Sequence, residues 1–336
     1  MRIVVLDDIG IGVEDLRRLE EKGEVRVFTG SPRGLDEIVA RARGAAVVIS
    51  GWTPIDEEVL ASLPGLQLVS LWATGLDNVD LAAASRCNVV VCHVPSYATN
   101  AVAELALGLM LAVLRKIPAA DRRLKRTGRP DWQPFQGGEL HGKTLGVVGT
   151  GAIGRRVARL GHCLGMGLLG YDVRPAQTMS DDLGMQYAPL AELFAKSDVV
   201  TLHAPLTPDT QGLVDAALLR RLPATAIIIN TARAGLIRQD DLYEALSEQA
   251  LAGAGLDVID LSQESGPRLL ALDTVVSTPH IGFYTREALA QLTAVCVDNV
   301  VRFIDGAPLN VAALPLVPAD GRSGVASAPE EENDGV

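Results

Sequence analysis

Short runs of apolar, β-branched residues alternate along the chain with longer stretches whose apolar positions recur every three or four residues. The first pattern is that of strands and the second that of amphipathic helices. Their alternation predicts βαβ units on parallel sheets, an α/β fold. In the first third, strands are expected at 3–6, 25–28, 46–49, 66–71 and 89–91, with helical spacing at 13–22 and 55–62. A long apolar segment follows at 98–114. Its small residues Ala103, Ala106 and Gly108 suit close packing at a boundary between domains or subunits. A second strand series runs 145–148, 168–171, 199–202, 226–230, 253–258 and 274–277, and a helical stretch closes it at 286–303. Two series imply two domains. Residues 312–336 are rich in Pro, Gly, Ala and acids without apolar periodicity, so a disordered tail is expected there.

Composition narrows the function classes. The 336 residues are enough for two domains, and 48% hydrophobic against 21% charged residues can fill sizeable cores. The net charge of -11 and the absence of a basic run exclude nucleic acid as an expected partner. The start turns acidic after five residues, unlike a secretory signal, and no apolar stretch reaches the roughly 18 residues of a membrane span. A cytoplasmic protein without membrane contact is expected. Cys87, Cys92, Cys163 and Cys296 lack metal-ligand spacing and read as reduced core thiols. The five histidines form no ligand pair, so no metal site is expected.

The densest local signal is Gly149-Thr-Gly151-Ala-Ile-Gly154, which follows the strand 145–148 and opens a helix at 155–164. Gly149 suits a tight turn, Gly151 leaves room for a pyrophosphate, and Gly154 lets the helix pack on the strand. The helix N-terminus adds unpaired amides and a positive dipole end. A Gly-rich turn alone is weak, but strand, helix and a downstream acid agree here. The acid is Asp172, which can accept bonds from ribose hydroxyls and repels a 2′-phosphate, favouring NAD over NADP; Arg174 nearby tempers that preference.

Three more residues stand at strand ends. His280, after the strand 274–277, titrates near neutrality and can move a proton, or it is a structural histidine. Arg233, after 226–230, can offer a planar fork to a carboxylate, or form a surface ion pair. Asp257 can touch a bound nicotinamide, or cap a loop.

These motifs, with Asn-Thr-Ala-Arg233-Ala-Gly, Gly-Leu-Asp257-Val, Thr-Pro-His280-Ile-Gly, Gly75-Leu-Asp-Asn-Val-Asp80 and Val102-Ala-Glu104, stand in the order seen in the D-isomer-specific 2-hydroxyacid dehydrogenases. The chain resembles that family from residue 1 to about residue 311. The resemblance implies a homodimer and an oxidoreductase that uses NAD to interconvert a small D-2-hydroxy acid and its 2-oxo acid by hydride transfer. It implies a Rossmann NAD-binding domain at 98–285 inserted into a discontinuous flavodoxin-like substrate domain, 1–97 with 286–311, and a site in the cleft between them. It implies that Arg233 binds the substrate, that His280 is the acid/base, and that Thr74 and Gly75 face the substrate carboxylate. It places the cofactor against Gly149, Gly151, Ala152, Ile153, Gly154, Asp172, His203, Pro205, Thr231, Ala232, Arg233, Asp257, His280 and Gly282.

One position departs from the family. A glutamate that pairs with the histidine is expected five residues after Asp257, where this chain has Ser262; the nearest glutamate is Glu264, which is expected to take the catalytic role, with Asp260 as substitute. Two rivals remain. Trp132-Gln-Pro-Phe135 is reminiscent of phosphite dehydrogenases, which suggests a phosphonate or phosphorus oxyacid substrate, although Thr74 stands where those enzymes have lysine. The displaced glutamate also suits an NAD(H)-sensing, non-catalytic binding protein.

Overall fold

The computed structural model describes residues 1–314. They divide into two compact units, one made of Met1–Tyr97 with the chain from Ala290 onward, the other of Ala98–Leu289.

In the first unit, β1 (Arg2–Val5), β2 (Glu24–Val27), β3 (Val47–Ser50), β4 (Leu68–Leu71) and β5 (Val90–Cys92) form a parallel sheet in the order β2-β1-β3-β4-β5, the flavodoxin-like order. β3 and β4 are buried at every position, which is why they read as continuous apolar runs rather than alternating ones. Helices Leu35–Ala42 and Leu81–Arg86 are not among the expected elements. The later part of helix Arg286–Ile304 packs on this unit. The Trp72 indole N–H donates to Thr293 Oγ1 (3.0 Å), Ser70 Oγ to the Cys296 carbonyl (3.0 Å), and Asn299 Nδ2 to the His93 carbonyl (2.9 Å). The chain then adds the strand Val311–Ala313, antiparallel to β5. Ala312 and Ala313 are therefore ordered, correcting the expected start of the tail at 312. Backbone pairing to a free sheet edge holds them where side-chain periodicity gave no signal. The rest of that expected tail, from 315, lies outside the described residues.

The second unit is a seven-stranded parallel sheet of β6 (Thr144–Val148), β7 (Gly167–Tyr171), β8 (Gln186–Tyr187), β9 (Val199–Leu202), β10 (Ile227–Asn230), β11 (Gly253–Leu256) and β12 (Val275–Ser277). Its order is β12-β11-β10-β9-β6-β7-β8, so the direction of winding reverses between β6 and β9. Ligands of open parallel sheets bind at that switch point, beyond the carboxyl ends of the strands. Successive residues bury on opposite faces: Val148, Leu202, Ile228 and Leu256 in one core cluster, Leu145, Val147, Val199 and Ile229 in the other. Each such burial contributes roughly 1.5–3 kcal/mol.

Helix Thr99–Leu114 lies on this sheet. Ala103 and Ala106 are fully buried within the unit, so their smallness serves packing inside it rather than the boundary expected above. The strand beneath is correspondingly small: a Cβ on Gly255 would stand 2.9 Å from Leu109 Cβ. Gly108 faces open space.

Among the described residues no helix is long and apolar enough to cross a membrane, and no cluster of three metal-ligating side chains occurs. Cys92 and Cys296 are core thiols pushed up to about 12 by burial, whereas Cys87 and Cys163 are exposed rather than core residues.

Candidate active site

The glycine-rich loop joins β6 to helix Ala152–Cys163 at the switch point. The helix starts at Ala152, three residues earlier than its apolar period, because Gly151 caps a first turn of small residues. Ala152 and Ile153 thus supply first-turn amides that have no carbonyl one turn back within the helix. Gly149 has φ 89°, and a Cβ there would press on the His203–Ala204 backbone at 2.6–2.7 Å. A Cβ on Gly154 would collide with the Gly149 carbonyl. A Cβ on Gly151 would meet nothing within 4 Å. Two of the glycines therefore serve packing, and the third leaves open space before a positive helix end. The Thr231 hydroxyl, buried at the end of β10, makes no hydrogen bond among the described residues. An open cradle and an orphaned buried hydroxyl fit a dinucleotide lying across these strand ends.

Asp172 follows β7 and faces the loop. Its Oδ2 accepts from the Thr150 amide (2.6 Å) and hydroxyl (3.1 Å), and its Oδ1 from the Arg174 amide (2.9 Å). Beyond β9, the His203 amide donates to the Val148 carbonyl (2.7 Å), and the His203 ring shares a hydrogen bond with Thr201 Oγ1 (2.8 Å). Burial pushes the His203 imidazole down to about 3, so it is neutral at physiological pH. The Pro205 carbonyl accepts from Thr210 Oγ1 (2.6 Å), closing the turn after it.

Asn230 brackets the Arg233 loop: its Nδ2 donates to the Arg233 carbonyl (2.9 Å) and its Oδ1 accepts from the Ala232 amide (3.0 Å). Asn230 is itself 1% exposed, so the bracket is rigid. Half-buried Arg233 donates from Nη1 to the Ala232 carbonyl (3.0 Å).

Asp257 organises the His280 loop. It is 1% exposed, and its carboxylate accepts from Thr278 Oγ1 (2.6 Å) and the amides of Ile281 (2.8 Å) and Gly282 (2.8 Å). Its carbonyl accepts from the His280 amide (2.8 Å). His280 has φ 57°, the left-handed region that favours glycine, and these four bonds hold it there. Asp257 thus caps this loop. Gly282 is required for the arrangement, since a Cβ would stand 2.9 Å from Asp257 Oδ2. The exposed imidazole meets the Phe283 ring edge-on at 5.9 Å.

Arg233 and His280 line one cavity of about 460 Å³, together with Asp257, Ser277, Thr278 and the apolar side chains of Leu261 and Leu270. Glu264 is not among its walls. It is exposed at the start of helix Ser265–Leu270, near Arg268, and makes no hydrogen bond to His280. The expected pairing is corrected on this point: the loop after Asp257 closes on itself and carries Glu264 outward. Asp260 does not substitute, because its carboxylate accepts from the Ser262 amide (3.0 Å) and hydroxyl (2.6 Å) and from Gln263 (2.8 Å), which lowers its pKa.

In the first unit, the loop after β4 carries Thr74 and Gly75. The Thr74 hydroxyl donates to the Val94 carbonyl (2.6 Å), and the Val94 amide to the Ala73 carbonyl (2.9 Å). The loop is thereby fastened to the segment after β5.

A family model described as D-isomer specific 2-hydroxyacid dehydrogenase, NAD binding domain, matches residues 107–282, more than half of the chain. A D-3-phosphoglycerate dehydrogenase of Methanocaldococcus jannaschii is 36% identical over 324 residues, 95% of this chain; the chain spans 61% of that protein's length. A glyoxylate reductase of Korarchaeum cryptofilum is 35% identical over 299 residues, covering 87% of this chain and 90% of that one. Among solved structures, an acyclic imino acid reductase in complex with NADPH and D-Arg superposes with a TM-score of 0.85 at 30% identity, covering 93% of this chain and 99% of that one. With its glycine loop, its two sheets and its Arg233–His280 cavity, the chain belongs to the D-isomer specific 2-hydroxyacid dehydrogenases, a family with a nicotinamide cofactor.

Proposed function

We propose that the protein uses NAD to interconvert a small D-2-hydroxy acid and its 2-oxo acid. The observation that carries this reading is the shared cavity of Arg233 and His280. Bound nicotinamide supplies the hydride acceptor or donor. In oxidation, neutral His280 takes the proton from the C2 hydroxyl; in reduction, protonated His280 returns it to the same oxygen. Arg233 holds the carboxylate with its planar fork and offsets the charge that grows on the C2 oxygen. Asp257 fixes where the imidazole stands, which matters because reacting atoms must align. Thr231, Ala232, His203, Pro205 and Gly282 line the cofactor, and Asp172 favours NAD over NADP.

The test is NADH consumption with glyoxylate, pyruvate, hydroxypyruvate and phenylpyruvate. Turnover of at least one is expected, with a loss of about 10²–10⁴-fold in His280→Ala; a His280→Ala protein with full activity overturns the assignment. One observation favours a second reading, an NAD(H)-sensing binding protein: Glu264 stands away from His280. NADH binding without turnover of any of these acids would select it. The same family reading makes the protein a cytoplasmic homodimer. Ile117 and Leu124, each 52% exposed on helix Ile117–Thr127, are apolar positions that a second copy would cover. A monomer in sedimentation at micromolar concentration would exclude that.

A further inference from the structure

A chain of hydroxyl groups runs behind Asp172. Tyr187 sits on β8, paired with β7 so that its ring lies against Gly170. A Cβ on Gly170 would stand 3.0 Å from Tyr187 Cε1, so only glycine leaves the ring its place. The Tyr187 oxygen accepts from the Ala176 amide (3.0 Å) and lies 3.0 Å from Thr150 Oγ1. The Ala176 carbonyl, its other acceptor, is at 3.5 Å, so the single phenolic proton goes to Thr150. With that lone pair occupied, the single Thr150 hydroxyl proton points at Asp172 Oδ2 (3.1 Å). Thr150 is 3% exposed, so water does not compete for it. The direction of every proton is fixed, from the Ala176 amide through Tyr187 and Thr150 to the carboxylate. A carboxylate has about four acceptor sites. Among the described residues, Oδ2 takes both Thr150 donors, while Oδ1 takes only the Arg174 amide and stays open to a further donor.

We propose that Tyr187 and Thr150 are positioning residues that hold Asp172 with its charge and its open oxygen toward the adenosine ribose, and so set the preference for NAD over NADP. This rests on the reading of Asp172 as the ribose carboxylate. Without the Tyr187 proton, the Thr150 hydroxyl is free to turn away, and Asp172 keeps only the two backbone amides of Thr150 and Arg174, so its carboxylate is held less tightly. The cost falls on a cofactor that needs the carboxylate as acceptor and spares one whose 2′-phosphate is repelled by it.

The experiment is titration of the full chain with NADH and with NADPH, read by cofactor fluorescence, for the wild type, Tyr187→Phe, Thr150→Val, Thr150→Ser and Asp172→Ala. Tyr187→Phe removes one oxygen and keeps the ring. The expected result is a rise of about 3- to 10-fold in the NADH Kd, the effect of one hydrogen bond, with the NADPH Kd within about twofold or tighter. Thr150→Val should act alike and Thr150→Ser should restore the wild-type ratio. An unchanged NADH:NADPH ratio in Tyr187→Phe, or a parallel loss of both affinities, overturns the proposal. Asp172→Ala separates the two levels: if it keeps the wild-type ratio the ribose reading fails, and if it alone collapses the ratio only the hydroxyl chain fails.

Discussion

Each unit uses a buried aspartate at the carboxyl end of a strand to pin a neighbouring loop, and the two devices do different work. In the first unit Asp7, fully buried just past β1, accepts from the Gly51 amide (2.8 Å) and Thr53 Oγ1 (2.7 Å) after β3. In the second, Asp257 accepts from the loop after β12. Both loops need an acceptor because their amides leave the ladder where a strand ends. The Asp7 loop carries Trp52, an indole 46% exposed and edge-on to Trp72 at 6.0 Å. The Asp257 loop carries His280 in a strained backbone conformation. One aspartate holds the loop of an exposed indole and the other the loop of the imidazole proposed to move the proton, so their removal should part stability from chemistry.

The largest effect is expected from Asp257→Ala, which strands three donors and frees the His280 loop. Its kcat/KM should fall by about 10²–10³-fold through lost alignment, and unfolding in urea should show a loss of about 2–4 kcal/mol. Asp7→Ala should lose comparable stability, about 2–4 kcal/mol, yet keep turnover of glyoxylate within about tenfold. Equal catalytic losses in the two variants would break the comparison. Next comes the missing carboxylate. Ser262→Glu tests the family's position directly: a reduction pH–rate profile that moves from the wild-type one puts a carboxylate beside the imidazole, and an unmoved one keeps that turn facing away. Glu264→Gln should leave that profile in place, since Glu264 does not meet the imidazole; a shifted limb would return it to the mechanism. The smallest effect concerns His203. Its folded value of about 3 lies below the ordinary 6.5, so between those values the unfolded chain binds a proton that the native state refuses. Its contribution is fully present above about pH 6.5 and declines as pH falls toward 3. Thermal melts of His203→Asn should therefore be less sensitive to pH over that window than those of the wild type.

Much of this was legible in the sequence, and for definite reasons. Strands such as β9 and β10 are buried on both faces, so they stand out as apolar runs. The glycine loop follows a strand and starts a helix, so its residues had to sit at a strand end. Arg233 and His280 each directly follow a strand of the same parallel sheet, which puts them on one edge. What escaped was whatever depends on reach through space. The pattern of Val4-Val5-Leu6-Asp7 does not say which loop Asp7 will hold. Tyr187 lies in a stretch whose pattern signals no strand, and nothing local ties its hydroxyl to Thr150. Proximity in sequence to Ser262 favours Glu264, but two residues of offset on a self-closing turn send a side chain elsewhere.

The outermost strand of the first sheet, Val311–Ala313, comes from the far end of the described chain, and the whole second unit is synthesised before it. On the ribosome, the second unit is contiguous and can complete itself as it emerges. The first must wait with the edge of β5 bare and with Ser70, Trp72 and the His93 carbonyl lacking their partners on the late helix. Nascent chains stalled before residue 290 are thus the form of this protein most exposed to strand-edge aggregation and to chaperone capture.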